Sequence, residues 1–146
     1  MTGGQAPRPI LAASLACFRD GKVLIARRVR EPGRGLWSLP GGRIEFGETA
    51  MEAARRELME ETGVSAEILG LAEVVEAIRR NDGGDALSHA VIFAYCGRWT
   101  AGEASVGDEA DAIAWVGPDE IGGYETTEGL ARVIERAAAL AKEAGS

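Results

Sequence analysis

Glu57, Glu60 and Glu61 stand three and four residues apart, the spacing that gathers side chains on or beside one edge of a helix. Like charges so placed repel by a few tenths of a kcal/mol per pair. A cluster of hard oxygen ligands makes sense where a divalent cation neutralises it, and Mg²⁺ favours a few carboxylates together with substrate phosphates. Acidic runs on helices are more commonly solvated faces, with Glu52, Arg56 and Glu60 as ordinary surface pairs. What shifts the balance is the stretch just upstream. Leu39-Pro40-Gly41-Gly42 is a tight glycine-rich turn where backbone can approach a ligand closely, and Gly47-Glu48 follow it at a fixed distance.

The element that must present these carboxylates is short and well delimited. Thr49 is a good N-cap, Glu52 completes a capping box, and Gly63 ends the helix in the left-handed conformation. Ala50, Ala53, Ala54 and Leu58 recur at helical spacing and form the face turned to a core.

The whole segment from Gly42 to Val64 resembles the Nudix box, G-x5-E-x7-R-E-U-x-E-E-x-G-U with U aliphatic, at every defined position. The flanks GLWSLPGGRIEFGETAMEAARREL and DEADAIAWVGPDEI resemble small bacterial Nudix proteins of the ADP-ribose pyrophosphatase-like kind. The resemblance implies hydrolysis of a nucleoside diphosphate linked to another group, dependent on Mg²⁺ with Mn²⁺ as a substitute. It implies metal ligation by Glu57, Glu60 and Glu61, completed by the backbone carbonyl of Gly41. An all-oxygen set of this kind suits Mg²⁺ or Mn²⁺ and not zinc. Gly42, Glu48, Arg56 and Gly63 then brace the loop against the helix, and Glu45 is a candidate for a second metal or a solvated charge.

Cleaving a pyrophosphate needs an in-line water, a base to position it and positive charge around the phosphoryl oxygens. Nudix enzymes draw the base from the box helix or from a later acidic loop. Here Glu61, with Glu57 beside it, is the preferred helix candidate; Asp108, Glu109 and Asp111 are the loop candidates. Arg27 and Arg28 are adjacent in a strand, so one is expected to reach a substrate phosphate while the other stays solvated. His89 is the only histidine; similar hydrolases of the ADP-ribose type carry one near this place, which makes it a substrate-binding candidate beside its plainer role as a half-buried strand residue. Trp37 and Trp115 read as core rather than as nucleobase platforms. Arg79 replaces the proline that ADP-ribose pyrophosphatases carry sixteen residues after the box glycine, and this leaves substrate choice open. The alternatives are a mutator-type nucleoside triphosphate pyrophosphohydrolase and a non-catalytic nucleotide sensor, the latter disfavoured by the intact box.

The rest of the chain fits one domain. It has 146 residues, 46% hydrophobic and 27% charged, as in an ordinary globular protein. A net charge of −7 argues against a nucleic-acid partner and favours a small nucleotide handled through a bound cation. Cys17 and Cys96 lie in apolar runs and read as reduced core thiols. Neither a signal peptide nor an apolar run approaching the roughly 20 residues of a membrane span is visible, so a cytoplasmic protein without membrane contact is expected. The resemblance adds the expectation of a homodimer.

Residues 1–9 read as a flexible tail and 10–146 as the domain. Ile10–Phe18 and Val23–Val29 form a hairpin about Asp20-Gly21, and Leu36–Leu39 and Arg43–Glu45 read as short strands either side of the glycine-rich turn. Strands are expected over Glu67–Arg80, Leu87–Trp99 and Ala112–Val116, an acidic loop over Thr100–Asp111, and a terminal helix over Glu128–Ala144. Several strands and two amphipathic helices imply an α/β fold, and the Nudix resemblance points to an α/β/α sandwich around a mixed sheet.

Overall fold

A computed structural model describes residues 6–145. Residues 1–5 of the expected tail and Ser146 lie outside the described residues, while residues 6–9 are exposed and carry no regular structure. The strands are β1 (Ile10–Arg19), β2 (Lys22–Arg28), β3 (Trp37–Ser38), β4 (Gly41–Arg43), β5 (Ser65–Arg80), β6 (Ala86–Ala101) and β7 (Ala110–Val116). The helices are α1 (Ala50–Thr62) and α2 (Leu130–Glu143), and a 3₁₀ turn spans Pro118–Gly123. The main sheet order is β3-β2-β1-β6-β5, with β4 paired to β1 and β7 to β2. β1 and β6 run parallel and the other pairs antiparallel, so the sheet is mixed.

Alternation along β1 supplies both cores. Ala13, Leu15 and Cys17 turn to one face, where Ala53, Ala54 and Leu58 of α1 cover them. Ala16 and Phe18 turn to the other, under Val133, Ile134 and Ala137 of α2. This is the expected helix-sheet-helix sandwich. Leu58 is fully buried, and truncating such a side chain to alanine costs about 2–5 kcal/mol. Cys17 and Cys96 are both buried and free, one in each core, so the sheet lies between their side chains. Burial pushes the Cys17 thiol up to about 12 and that of Cys96 up to about 11, which keeps both inert. Trp37 packs edge-on to Tyr124 at 5.2 Å, and Trp115 borders the α1 core, as expected of core aromatics.

The pairing of β1 departs from the simple hairpin read from the sequence. β1 pairs with β2 only near the hairpin turn, through Phe18–Val23 and Arg19–Lys22. Its first half pairs instead with β4, Ala12–Ser14 against Gly41–Arg43. The strand expected over Arg43–Glu45 therefore lies two residues earlier, inside the glycine-rich turn itself. The reason is steric: a Cβ on Gly41 would stand 2.6 Å from the Ala13 carbonyl oxygen and 2.7 Å from Ser14 Cβ. Only glycine lets β4 come that close, and the sheet opens between β1/β4 and β2. A smaller difference is that β7 begins at Ala110, which places Asp111 in a strand and not in the acidic loop.

Candidate active site

The opening in the sheet is a cleft. Arg27, Arg28, Arg30, Gly41, Glu61 and Glu109 are among the residues that line it. α1 delivers Glu61 because its ends are fixed locally. Thr49 and Glu52 form the reciprocal capping box, and Gly63 takes φ 75° with its N–H on the Met59 carbonyl. Glu61 is 8% exposed, and the backbone N–H of Gly41 donates to its Oε2 at 2.9 Å. Burial pushes its carboxyl up to about 8; the Gly41 amide opposes this, and the charges of Glu57 and Glu109 add to it. Glu57 lies one helical turn before Glu61, which brings the two carboxyl groups close. Gly42 is small for the same reason: a Cβ there would lie 2.5 Å from the Glu57 carboxylate.

Arg56 organises the outer side of the helix. Its guanidinium donates to Glu48 at 2.7 and 3.0 Å, to Glu57 at 3.0 Å, to Glu60 at 3.2 Å and to the Arg43 carbonyl at 3.0 Å. The loop Arg43–Glu48 is thereby tied to α1. Glu48 is held down to about 2 by the Arg56 hydrogen bonds and by the Glu45 N–H. Glu60 is on the exposed flank, its side chain 58% accessible.

The structure thus brings Glu57, Glu61 and Gly41 together and leaves Glu60 apart. Gly41 turns its amide to Glu61. Among the described residues no three acidic, histidine or cysteine side chains converge closely enough to hold a metal ion by themselves. A close carboxylate pair with only oxygen donors nevertheless fits a hard divalent cation, whose remaining ligands would be water and substrate phosphate.

Arg27 and Arg28 both line the cleft, where one of the two was expected to stay solvated. Opposite them β7 carries a bulge, Asp111 being the extra residue between Ala110, paired with Arg28, and Ala112, paired with Arg27. Arg27 donates to Asp111 at 2.7 Å, and Arg30 to both oxygens of Glu109 at 2.9 and 3.1 Å. Of the loop carboxylates only Glu109 lines the cleft; Asp108 is exposed on a turn. His89 stands opposite Ile78 in the β5–β6 hairpin and is not among the cleft residues. Its Nε2 is buried without a hydrogen-bond partner among the described residues.

Two positioning features were not anticipated. Ser105 and Gly107 donate their backbone N–H groups to the carbonyls of Thr62 and Glu61 at 2.9 and 3.0 Å. They satisfy the open end of α1 and clamp the acidic loop beside it. A Cβ on Gly107 would stand 2.8 Å from the Glu60 and Glu61 carbonyl oxygens, so glycine is needed there. Arg30, which fixes Glu109, sits in a loop whose sequence carries no signal of that pairing.

Residues 8–137 match the model of the NUDIX domain family. The chain is 35% identical over 102 residues to an ADP-ribose pyrophosphatase of Methanocaldococcus jannaschii, covering 70% of this chain and 58% of that one. It is 32% identical over 117 residues to the human 8-oxo-dGDP phosphatase NUDT18, covering 75% of this chain and 33% of the relative. The chain therefore spans less than two thirds of the length of these curated relatives. A crystal structure of a MutT NUDIX hydrolase from Burkholderia pseudomallei superposes with a TM-score of 0.78 at 30% identity, over 88% of this chain and 98% of that one. With a box helix whose caps, glycines and arginine clamp are all in place, the chain belongs to the Nudix hydrolase family.

Proposed function

We propose that this protein hydrolyses the pyrophosphate bond of a nucleoside diphosphate linked to a second moiety, with ADP-ribose the first candidate. The observation that carries this reading is the meeting, in one cleft, of a buried carboxylate with three arginines. Phosphoryl transfer asks mainly for positioning and for positive charge around the phosphoryl oxygens, and these are the groups present. Arg28, which has no carboxylate partner among the described residues, takes phosphate oxygens; Arg27 and Arg30 reinforce the field while holding Asp111 and Glu109 in place. Glu61, fixed by the Gly41 amide, orients the attacking water and accepts its proton, and Glu109 faces the same space from the loop. Mg²⁺ or Mn²⁺ held by Glu57 and Glu61 would supply Lewis-acid charge on the phosphates.

The name of the Methanocaldococcus relative supports ADP-ribose. Similarity to the human 8-oxo-dGDP phosphatase and the Burkholderia MutT hydrolase favours the second reading, a mutator-type enzyme cleaving a nucleoside triphosphate to monophosphate and pyrophosphate. Hydrolysis in ¹⁸O-water, with mass spectrometry of both products, separates the two. Label in AMP or in ribose 5-phosphate supports the first reading; inert ADP-ribose and sugar nucleotides beside a triphosphate that releases pyrophosphate support the second.

We further propose a homodimer. β5 ends the sheet, and its outer half exposes Leu71, Val74 and Ile78 at 47%, 44% and 42%. A strictly monomeric species in sedimentation across micromolar concentrations would rule it out.

A further inference from the structure

Among the described residues that line the cleft, Ser38 alone carries a hydroxyl, and it shares that lining with Arg28, Gly41 and Glu61. Strand pairing sets Ser38 of β3 opposite Ala26 of β2. Two residues on, the Arg28 N–H donates to the Leu36 carbonyl at 2.9 Å. Ser38 and Arg28 are therefore diagonal neighbours on one face of the sheet. The space enclosed is about 50 Å³, so a hydroxyl on its wall stands close to any phosphoryl group held there.

β3 is two residues long, yet it is held from both sides. Opposite β2, the Trp37 N–H donates to the Glu125 carbonyl at 2.8 Å, and the Thr127 N–H donates to the Trp37 carbonyl at 3.0 Å. This brings Thr127, from the segment before α2, against Ser38. Its hydroxyl donates to Ser38 Oγ at 3.3 Å, long for a hydroxyl pair, so the contact biases the serine side chain without locking it. The direction of that bond matters more than its length. With a donor already on its oxygen, the Ser38 hydroxyl keeps its own hydrogen to give, and no acceptor takes it among the described residues. Such a donor on the wall of an arginine-lined cleft suits an anionic oxygen. The plain alternative is a hydroxyl pair that only ties β3 to the segment before α2; it predicts effects on stability and none on anion affinity.

We propose that Ser38 is a substrate-binding residue that donates its hydroxyl to a phosphoryl oxygen beside Arg28, and that Thr127 is its positioning residue. The proposal rests on the pyrophosphate-hydrolase reading above and deepens it. It gives the 125–127 segment, close to ninety residues along the chain from Ser38, a part in holding the diphosphate.

The test is calorimetric titration of the full chain, in Mg²⁺, with inorganic pyrophosphate as the probe. Ser38→Ala should weaken binding about tenfold, the loss of one hydrogen bond to a charged group. Ser38→Cys keeps the volume but exchanges a strong donor for a weak one; it should lose nearly as much, and it stands in if the alanine variant does not fold. Ser38→Thr should retain most of the affinity. Thr127→Val should weaken binding about twofold to threefold in the wild type and have no further effect in the Ser38→Ala background. Wild-type affinity in Ser38→Ala and Ser38→Cys overturns the proposal and leaves the hydrolase reading standing. A Thr127→Val loss of the same size in both backgrounds overturns the positioning role. Failure of the wild type to bind pyrophosphate overturns the hydrolase reading together with the proposal.

Discussion

Glu48 and Glu61 flank the same helix, one just before its first turn and one in its last, and their carboxyl groups are driven in opposite directions. Glu48 is held down to about 2, Glu61 is pushed up to about 8. Burial raises Glu61, the deeper of the two, and the Arg56 hydrogen bonds lower Glu48. The partners widen the gap. Glu48 receives two guanidinium hydrogen bonds from Arg56, whereas Glu61 receives one neutral amide and two neighbouring negative charges. The first carboxylate is a saturated clamp and the second an unsaturated group that a cation or a proton must complete.

The contrast breaks most readily at its unsaturated end. Glu61→Gln or Glu57→Gln should lower kcat by about 10²-fold or more, as removal of a preorganised electrostatic group does elsewhere, with the fold retained because like-charge repulsion is relieved. Steady-state assays with circular dichroism of the same samples check this, and excess chelator should abolish activity altogether. Full turnover by Glu61→Gln would remove the carboxylate pair from the mechanism.

At the saturated end the expected loss is of stability. Arg56→Ala leaves Glu48 and Glu57 without their shared cation and should cost about 2–3 kcal/mol in denaturant unfolding. A change below about 0.5 kcal/mol would show the clamp to be a weak surface contact.

The two ends should also respond to pH with opposite sign. Glu61 has a folded value of about 8 above its ordinary 4.5, so the folded state binds the extra proton between them. In the absence of metal, stability is fully present below about 4.5 and falls as pH rises toward 8, by a few kcal/mol at most. Glu61→Gln should flatten that slope. Glu48, depressed to about 2, contributes above its ordinary 4.5 and is lost as pH falls through about 2. Urea titrations from acid to mild base read both limbs.

The smallest effect is expected at the loop. Glu109→Gln removes one of the charges that raise Glu61 and frees Arg30. Activity should fall by less than about tenfold, near 1 kcal/mol, with the pH profile displaced toward acid. A loss as large as that of Glu61→Gln would transfer the base from the helix to the loop.

The parts of this site legible in the sequence are those fixed within one turn of chain. The capping box of Thr49 and Glu52, the left-handed Gly63 and the inward face of Ala53, Ala54 and Leu58 depend on neighbours three or four residues away, and all appear as read. What escaped depends on distant partners. Gly41 is required by the backbone of β1, and Gly42 by Glu57. The bulge that sets Asp111 opposite Arg27 lies in β7, more than eighty residues along the chain from β2. No local pattern announces a register shift of that kind.

The two amides of Ser105 and Gly107 on the last carbonyls of α1 carry a kinetic consequence. A helix end frays more often than its middle, and each fraying event here must also release the segment that leads to Glu109. Hydrogen exchange at these two amides should therefore proceed at the rate of the last turn's own opening, and not at the faster rate of an exposed loop. The protein then has one opening event, not two, in the neighbourhood of Glu61. A ligand that slows exchange at Met59 through Gly63 should slow it at Ser105 and Gly107 in the same proportion.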